Sequence, residues 1–118
     1  MKNLFLLAMV CLLVSCQNDE EKYKLIIGSW HCSSWTSVNN KTNRCDNNVF
    51  FAFNNDKTYS SQLGDEKDEG TYKISGELLT VQPKDKLPIS VEIIKLTSTE
   101  LNLYMNNAGV EETLELKK

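Results

Sequence analysis

From residue 29 onward the apolar residues recur every second position, in short runs separated by turn-forming residues. A period of two puts successive side chains on opposite faces of a strand, so each run predicts a strand with one buried face. In residues 29–36, Trp30, Cys32 and Ser34 share one face, and His31, Ser33 and Trp35 share the other. The polar residues 37–48 predict a long loop. Strands over 49–53, 58–63, 69–75 and 78–82 follow, divided by turns at 54–57, 64–68 and 76–77. Pro83 stops the fifth run because it cannot donate to a central ladder. Ile89-Ser90-Val91-Glu92-Ile93 alternates cleanly, and Ile94 and Leu96 then change phase, which predicts a bulge or strong bend near Ile93. Leu101, Leu103 and Met105 form the seventh strand. Asn107-Ala108-Gly109 turns the chain into the eighth, 110–117, where Leu114 and Leu116 face in.

Ahead of these strands, residues 20–27 place Tyr23, Ile26 and Ile27 at helical spacing, with Gly28 to end the turn. This short helix is expected to plug one end of the fold. No helical pattern is long enough to cover a sheet, and a sheet left uncovered gains by closing on itself, which removes both edges. The expected fold is therefore all-β, an eight-stranded antiparallel up-and-down barrel, with a two-sheet sandwich as the alternative. The candidate barrel lining is Trp30, Phe51, Phe53, Tyr59, Tyr72, Leu103 and Met105, on the same inward face as Ile74, Leu79, Val81, Ile89, Val91, Ile93, Leu101, Leu114 and Leu116. Such a barrel either packs solid or holds one small hydrophobic ligand, and both outcomes stay open. Trp35 points outward by alternation, as a lid or a contact for an envelope protein partner, unless a local bulge turns it in.

The N-terminus changes the setting. Lys2 precedes an apolar run of about eleven residues, the layout of a secretory leader and too short for a membrane span. It ends in Leu13-Val14-Ser15-Cys16, which resembles the lipobox of bacterial lipoproteins. The resemblance implies a signal peptide over 1–15 and palmitate-type acylation of Cys16, hence a lipid anchor to a membrane. Residues 16–22 are polar and acidic and are expected to form a flexible tether, leaving 23–118 as one barrel domain. The acidic run behind Cys16 resembles the surface-export signal of Bacteroidota lipoproteins, so the expected location is the bacterial outer membrane, at its periplasmic face or at the cell surface.

Composition narrows the partners. The chain of 118 residues carries 13 basic and 16 acidic residues, and losing the leader removes only Lys2 from the basic set. A net negative domain without a basic cluster does not suit nucleic acid. Two of the four cysteines, Cys11 and Cys16, belong to the leader and the lipidation site. Cys32 and Cys45 remain, and in an oxidising envelope they are expected to form a disulfide worth about 3 kcal/mol; free thiols or a metal site are the alternatives. A metal site is poorly supported, because His31 is the only histidine and there is no Cys-x-x-Cys spacing. No cofactor motif, nucleophile elbow or phosphate loop occurs, so an enzyme is not expected. Asp65, Glu66, Asp68 and Glu69 read as a solvated turn.

Gly28-Ser29-Trp30, after a helical turn and at the start of the first strand, is similar to the Gly-x-Trp signature of lipocalins. The runs 51–59, 70–81 and 94–101 extend the likeness, and together they resemble the small lipocalin-like lipoproteins of Bacteroidota. The resemblance implies an eight-stranded barrel able to bind a hydrophobic small molecule. It also implies an arginine from the end of the barrel over the signature tryptophan. Here the sole arginine is Arg44, in the first long loop, and the chain ends in Lys117 and Lys118.

Overall fold

The computed structural model describes residues 18–118; the leader 1–15 and Cys16 lie outside the described residues. Helix α1 spans Asp19–Ile26, one residue earlier than its apolar spacing suggests. Asn18 sets that start, its side chain accepting from Glu21 N at 2.8 Å. Asp19, Glu20 and Glu21 then lie in the first turn, where the helix dipole favours negative charge. Residues 19–22 of the expected tether thus form the first turn of α1. Ile27 is extended, so it leaves the helical face that Tyr23 and Ile26 share.

Eight strands follow: β1 Gly28–Ser37, β2 Val49–Phe53, β3 Thr58–Leu63, β4 Glu66–Ser75, β5 Leu78–Pro83, β6 Ile89–Leu96, β7 Glu100–Asn107 and β8 Val110–Lys117. Each pairs antiparallel with the next, and β8 returns to β1 from His31↔Lys117 to Ser37↔Glu112, which closes the barrel and excludes the sandwich. β1 pairs with β2 only over Gly28 to His31. Beyond that point the loop between them covers the free edge of β1: Arg44 N donates to Trp35 O at 2.9 Å, and Trp35 N donates to the Asn43 side chain at 3.0 Å. The Cys32–Cys45 disulfide pins the same loop.

The register confirms the bend predicted near Ile93, shifting between Ile93 and Lys95. A second shift, between Cys32 and Ser34, falls where the residues give no polarity contrast to mark it. It reverses the phase of β1, so Trp35 sits opposite the buried Leu114 and points inward, against the outward position that plain alternation gives. β4 begins at Glu66, so the turn expected over 64–68 shrinks and Asp68 becomes part of the wall.

α1 closes one end. Ile26 is fully buried, and Tyr23 packs against the core while its hydroxyl accepts from Ile74 N at 2.7 Å. The neighbouring β4–β5 turn is tied to the helix by Lys22 Nζ donating to Gly76 O at 2.6 Å and by Gly76 N donating to Asp19 Oδ1 at 3.1 Å. Trp30 lies on the floor, fully buried, its Nε1 donating to Ile26 O at 2.7 Å. Over its ring, at 5.0 Å, sits the Nζ of Lys118, which also donates to Leu25 O. A lysine from the chain end thus fills the place where the lipocalin resemblance calls for arginine. Gly28 makes room for it: its φ is +135°, and a Cβ there would lie 2.5 Å from Lys118 Cε. The core includes Ile26, Val49 and Leu96, which the inward set omitted. Ile89 corrects that set in the other direction. It is 53% exposed, because it starts β6 at the open rim, where nothing caps it.

Candidate functional site

Burial falls off toward the open end of the barrel, except at Val49, Ser61 and Glu112, which stay buried there. Trp30, Phe53, Leu79, Leu101, Leu114 and Leu116, with Ile26 beneath, are exposed by 2% or less and fill the half that α1 closes. Toward the other end Trp35, Phe51, Val81, Val91 and Met105 also face inward, yet they are only partly buried. These partly exposed apolar side chains ring the open end and form the candidate cup for a ligand.

Phe51 and Met105 of the expected lining therefore border the cup. Trp30, Phe53, Tyr72 and Leu103 instead form the solid floor. Phe53 meets Tyr72 edge to face at 4.9 Å, and the Tyr72 hydroxyl donates to Asn54 O at 2.8 Å. Burial first, then the Tyr23 hydroxyl and the Asp56 carboxylate, push the Tyr72 phenol up to about 12. A group so occupied is packing rather than a handle for a ligand. Tyr59 stands at the boundary between floor and cup, 3% exposed.

The β1–β8 side of the mouth is held by three residues. The Arg44 guanidinium lies 4.4 Å over the Trp35 ring and donates from Nη2 to Glu112 Oε1 at 2.9 Å. Trp35 Nε1 donates to the other carboxylate oxygen at 3.2 Å. Glu112 is in phase with Leu114 and Leu116, which puts a carboxylate on the inner wall. The Arg44 hydrogen bond, aided by that of Trp35, holds the Glu112 carboxyl below its ordinary range against the burial that would raise it. Trp35 is therefore part of the mouth, its ring committed to residues of its own chain.

The opposite side is built by β3 and β4. Ser61 pairs with Phe51 across β2 and with Asp68 across β4, so all three share the inner face. Lys86, from the β5–β6 turn, reaches over to donate to Asp68 at 2.7 Å and to Glu66 at 3.1 Å. Those hydrogen bonds raise the Lys86 pKa, so it stays an ammonium. The inner position of Asp68 was legible in the two-residue period; the run of charges around it hid the phase.

Two hollows, of about 530 and 450 Å³, run along the wall of β2 to β5. Outward residues such as Ser60, Glu69, Thr71 and Gln82 line them, with Tyr59 and Pro83 bordering the larger and Phe50, Ser61 and Asp68 the smaller. Among the described residues no cluster of His, Cys, Asp and Glu is arranged to hold a metal ion.

A family model described as a lipocalin-like domain matches residues 26–103. No curated protein matches the chain. Of the solved structures that do, a lipocalin-like protein from Bacteroides uniformis is 17% identical, with a TM-score of 0.63 over 80% of this chain and 98% of that one. An uncharacterized protein from Bacteroides eggerthii is 12% identical, with a TM-score of 0.64 over 79% and 98%. At these identities the likeness is one of fold.

Proposed function

Because the chain belongs to the lipocalin-like domain family, we propose that it is a binding protein that takes one small hydrophobic molecule into the cup at the open end of its barrel. The partly exposed apolar side chains of the inner wall carry this reading. The floor is full, while Phe51, Val81, Val91 and Met105 present apolar surface to solvent inside the wall. An apolar ligand covering those side chains would gain roughly 25 cal/mol for each Å² removed from water. Among the described residues the core runs from Ile26 to Leu116, which supports a domain that folds without the leader.

The test is titration of residues 17–118 with N-phenyl-naphthylamine, a neutral fluorophore. The expected result is saturable one-to-one binding, with a Kd of roughly micromolar order, lost when Val91→Trp fills the cup. Absence of saturable uptake by the unaltered domain overturns the reading.

The same proposal includes a lipid on Cys16 and residence at the bacterial outer membrane. Cys16 is two residues before the N-cap Asn18, a reach of at most about 8 Å, and α1 lies on the closed end. This connection favours an arrangement with the mouth turned away from the bilayer. Palmitate labelling that is lost in Cys16→Ser supports it; equal labelling of the variant removes it. A second reading, docking of an envelope protein, is favoured by the exposed Val38, Leu87, Ile89 and Val110 at the mouth end. Pull-down of one defined partner that Leu87→Asp abolishes, with fluorophore binding unchanged, distinguishes it from the first.

A further inference from the structure

Taking the cup as the ligand site, we infer that its β3–β4 wall selects a hydrophobic amine over a hydrophobic acid. Three groups carry the inference: the Tyr59 hydroxyl, the Ser61 hydroxyl and the Asp68 carboxylate. Tyr59 is 3% exposed and Ser61 8% exposed, and both lie on the inner face of β3. Among the described residues neither hydroxyl makes a hydrogen bond, and no buried side-chain oxygen or nitrogen is both sealed from solvent and unpaired. The two oxygens therefore keep some contact with solvent, and their place on the inner face of β3 turns them toward the cup. Two hydroxyls on one inner wall with no partner in the protein are free to donate to or accept from a ligand's polar group.

The charges around them decide which polar group. Asp68 is directly across the strand pair from Ser61, and its charge, after burial, helps raise the Tyr59 pKa. Its carboxylate has about four acceptor positions, of which Lys86 takes one at 2.7 Å. The two cations that reach the inner wall are committed: Lys86 to Asp68 and Glu66, Arg44 to Glu112. Three carboxylates face two cations. An incoming acid thus meets like charge and finds its donors engaged. An ammonium finds a carboxylate with free lone pairs and two hydroxyls able to accept, with Phe51 beside Ser61 to cover its apolar part.

Three compounds with the same ring system test this by calorimetry on residues 17–118 at neutral pH: naphthylmethylamine, naphthylmethanol and naphthoate. The amine is expected to bind about tenfold tighter than the alcohol, the difference one charge-assisted hydrogen bond makes, and naphthoate more weakly than either. Asp68→Asn should bring the amine down to the alcohol. Tyr59→Phe and Ser61→Ala should weaken amine and alcohol together, with thermal melts showing each variant folded. Naphthoate binding as tightly as the amine, or an amine advantage that survives Asp68→Asn, overturns the inference. Failure of all three compounds while N-phenyl-naphthylamine still binds also overturns it and leaves the hydrophobic cup standing. If the neutral fluorophore fails as well, the cup itself is refuted.

Discussion

Lys118 holds its ammonium 5.0 Å above the ring of Trp30, so the last residue of the chain seals the floor laid by the first strand. The contact is exposed on its outer side, where a cation over an aromatic face is worth about 0.5–1 kcal/mol. Lys118→Ala should lower unfolding stability by about that amount in urea titration, and Lys118→Arg should restore it. Trp30→Ala should cost about 3–5 kcal/mol, since it empties the floor. Equal stability of Lys118→Ala and the unaltered chain removes the contact from the account.

The disulfide between Cys32 and Cys45 holds the loop that supplies Arg44. Its loss should cost about 3 kcal/mol and loosen Arg44 from the Trp35 ring. In Cys32→Ser/Cys45→Ser a fall in thermal midpoint is expected together with a red shift of tryptophan emission. A lowered midpoint with unchanged emission would mean that the loop keeps its place without the bond.

Gly70 faces inward where β4 presses on β5, and a Cβ there would lie 1.9 Å from Gln82 O and 2.9 Å from its carbonyl carbon. Backbone cannot step aside as a flexible side chain can. Gly70→Ala should therefore cost about 3 kcal/mol by denaturant titration. Gly64 is the control: its φ is +67° with nothing within 4 Å of a Cβ, so Gly64→Ala should cost only about 1 kcal/mol. Similar costs at the two positions would contradict the close approach at Gly70.

Glu112 links stability to acid. Its pKa in the folded chain lies below the ordinary 4.5, chiefly through Arg44, so the native state binds its proton less readily than the unfolded chain. The stability it adds is intact above about pH 4.5 and is lost as pH falls through the folded value. Thermal melts from neutral pH to pH 3 should show a steeper acid decline in the unaltered chain than in Arg44→Met. Parallel declines would show that the pair contributes nothing.

The alternation of apolar residues reached the strand order and most strand limits, with β2, β3 and β8 found at their expected bounds. The shift after Ile93 was visible because the apolar pattern itself changes phase, from Ile93 to Leu96 with Ile94 left outside. The shift after Cys32 was not, because Ser33 and Ser34 suit either face and leave Trp35 without a frame of reference. Asp68 and Glu112 escaped for a related reason: hydropathy assigns carboxylates to solvent, and only their phase with Ser61 and Leu114 reveals the inner wall. The contact of Lys118 with Trp30 crosses the whole chain and leaves no local trace at either residue.

Closing β8 onto β1, and laying residues 43 and 44 along the stretch of β1 that β2 does not reach, covers N–H and C=O groups that a neighbouring copy could otherwise extend. That edge of β1 is thereby guarded against strand addition, and only while the loop stays in place. Reducing the Cys32–Cys45 bond frees that loop, so the exposed stretch of β1 is expected to make the reduced chain more prone to self-association than the oxidised one.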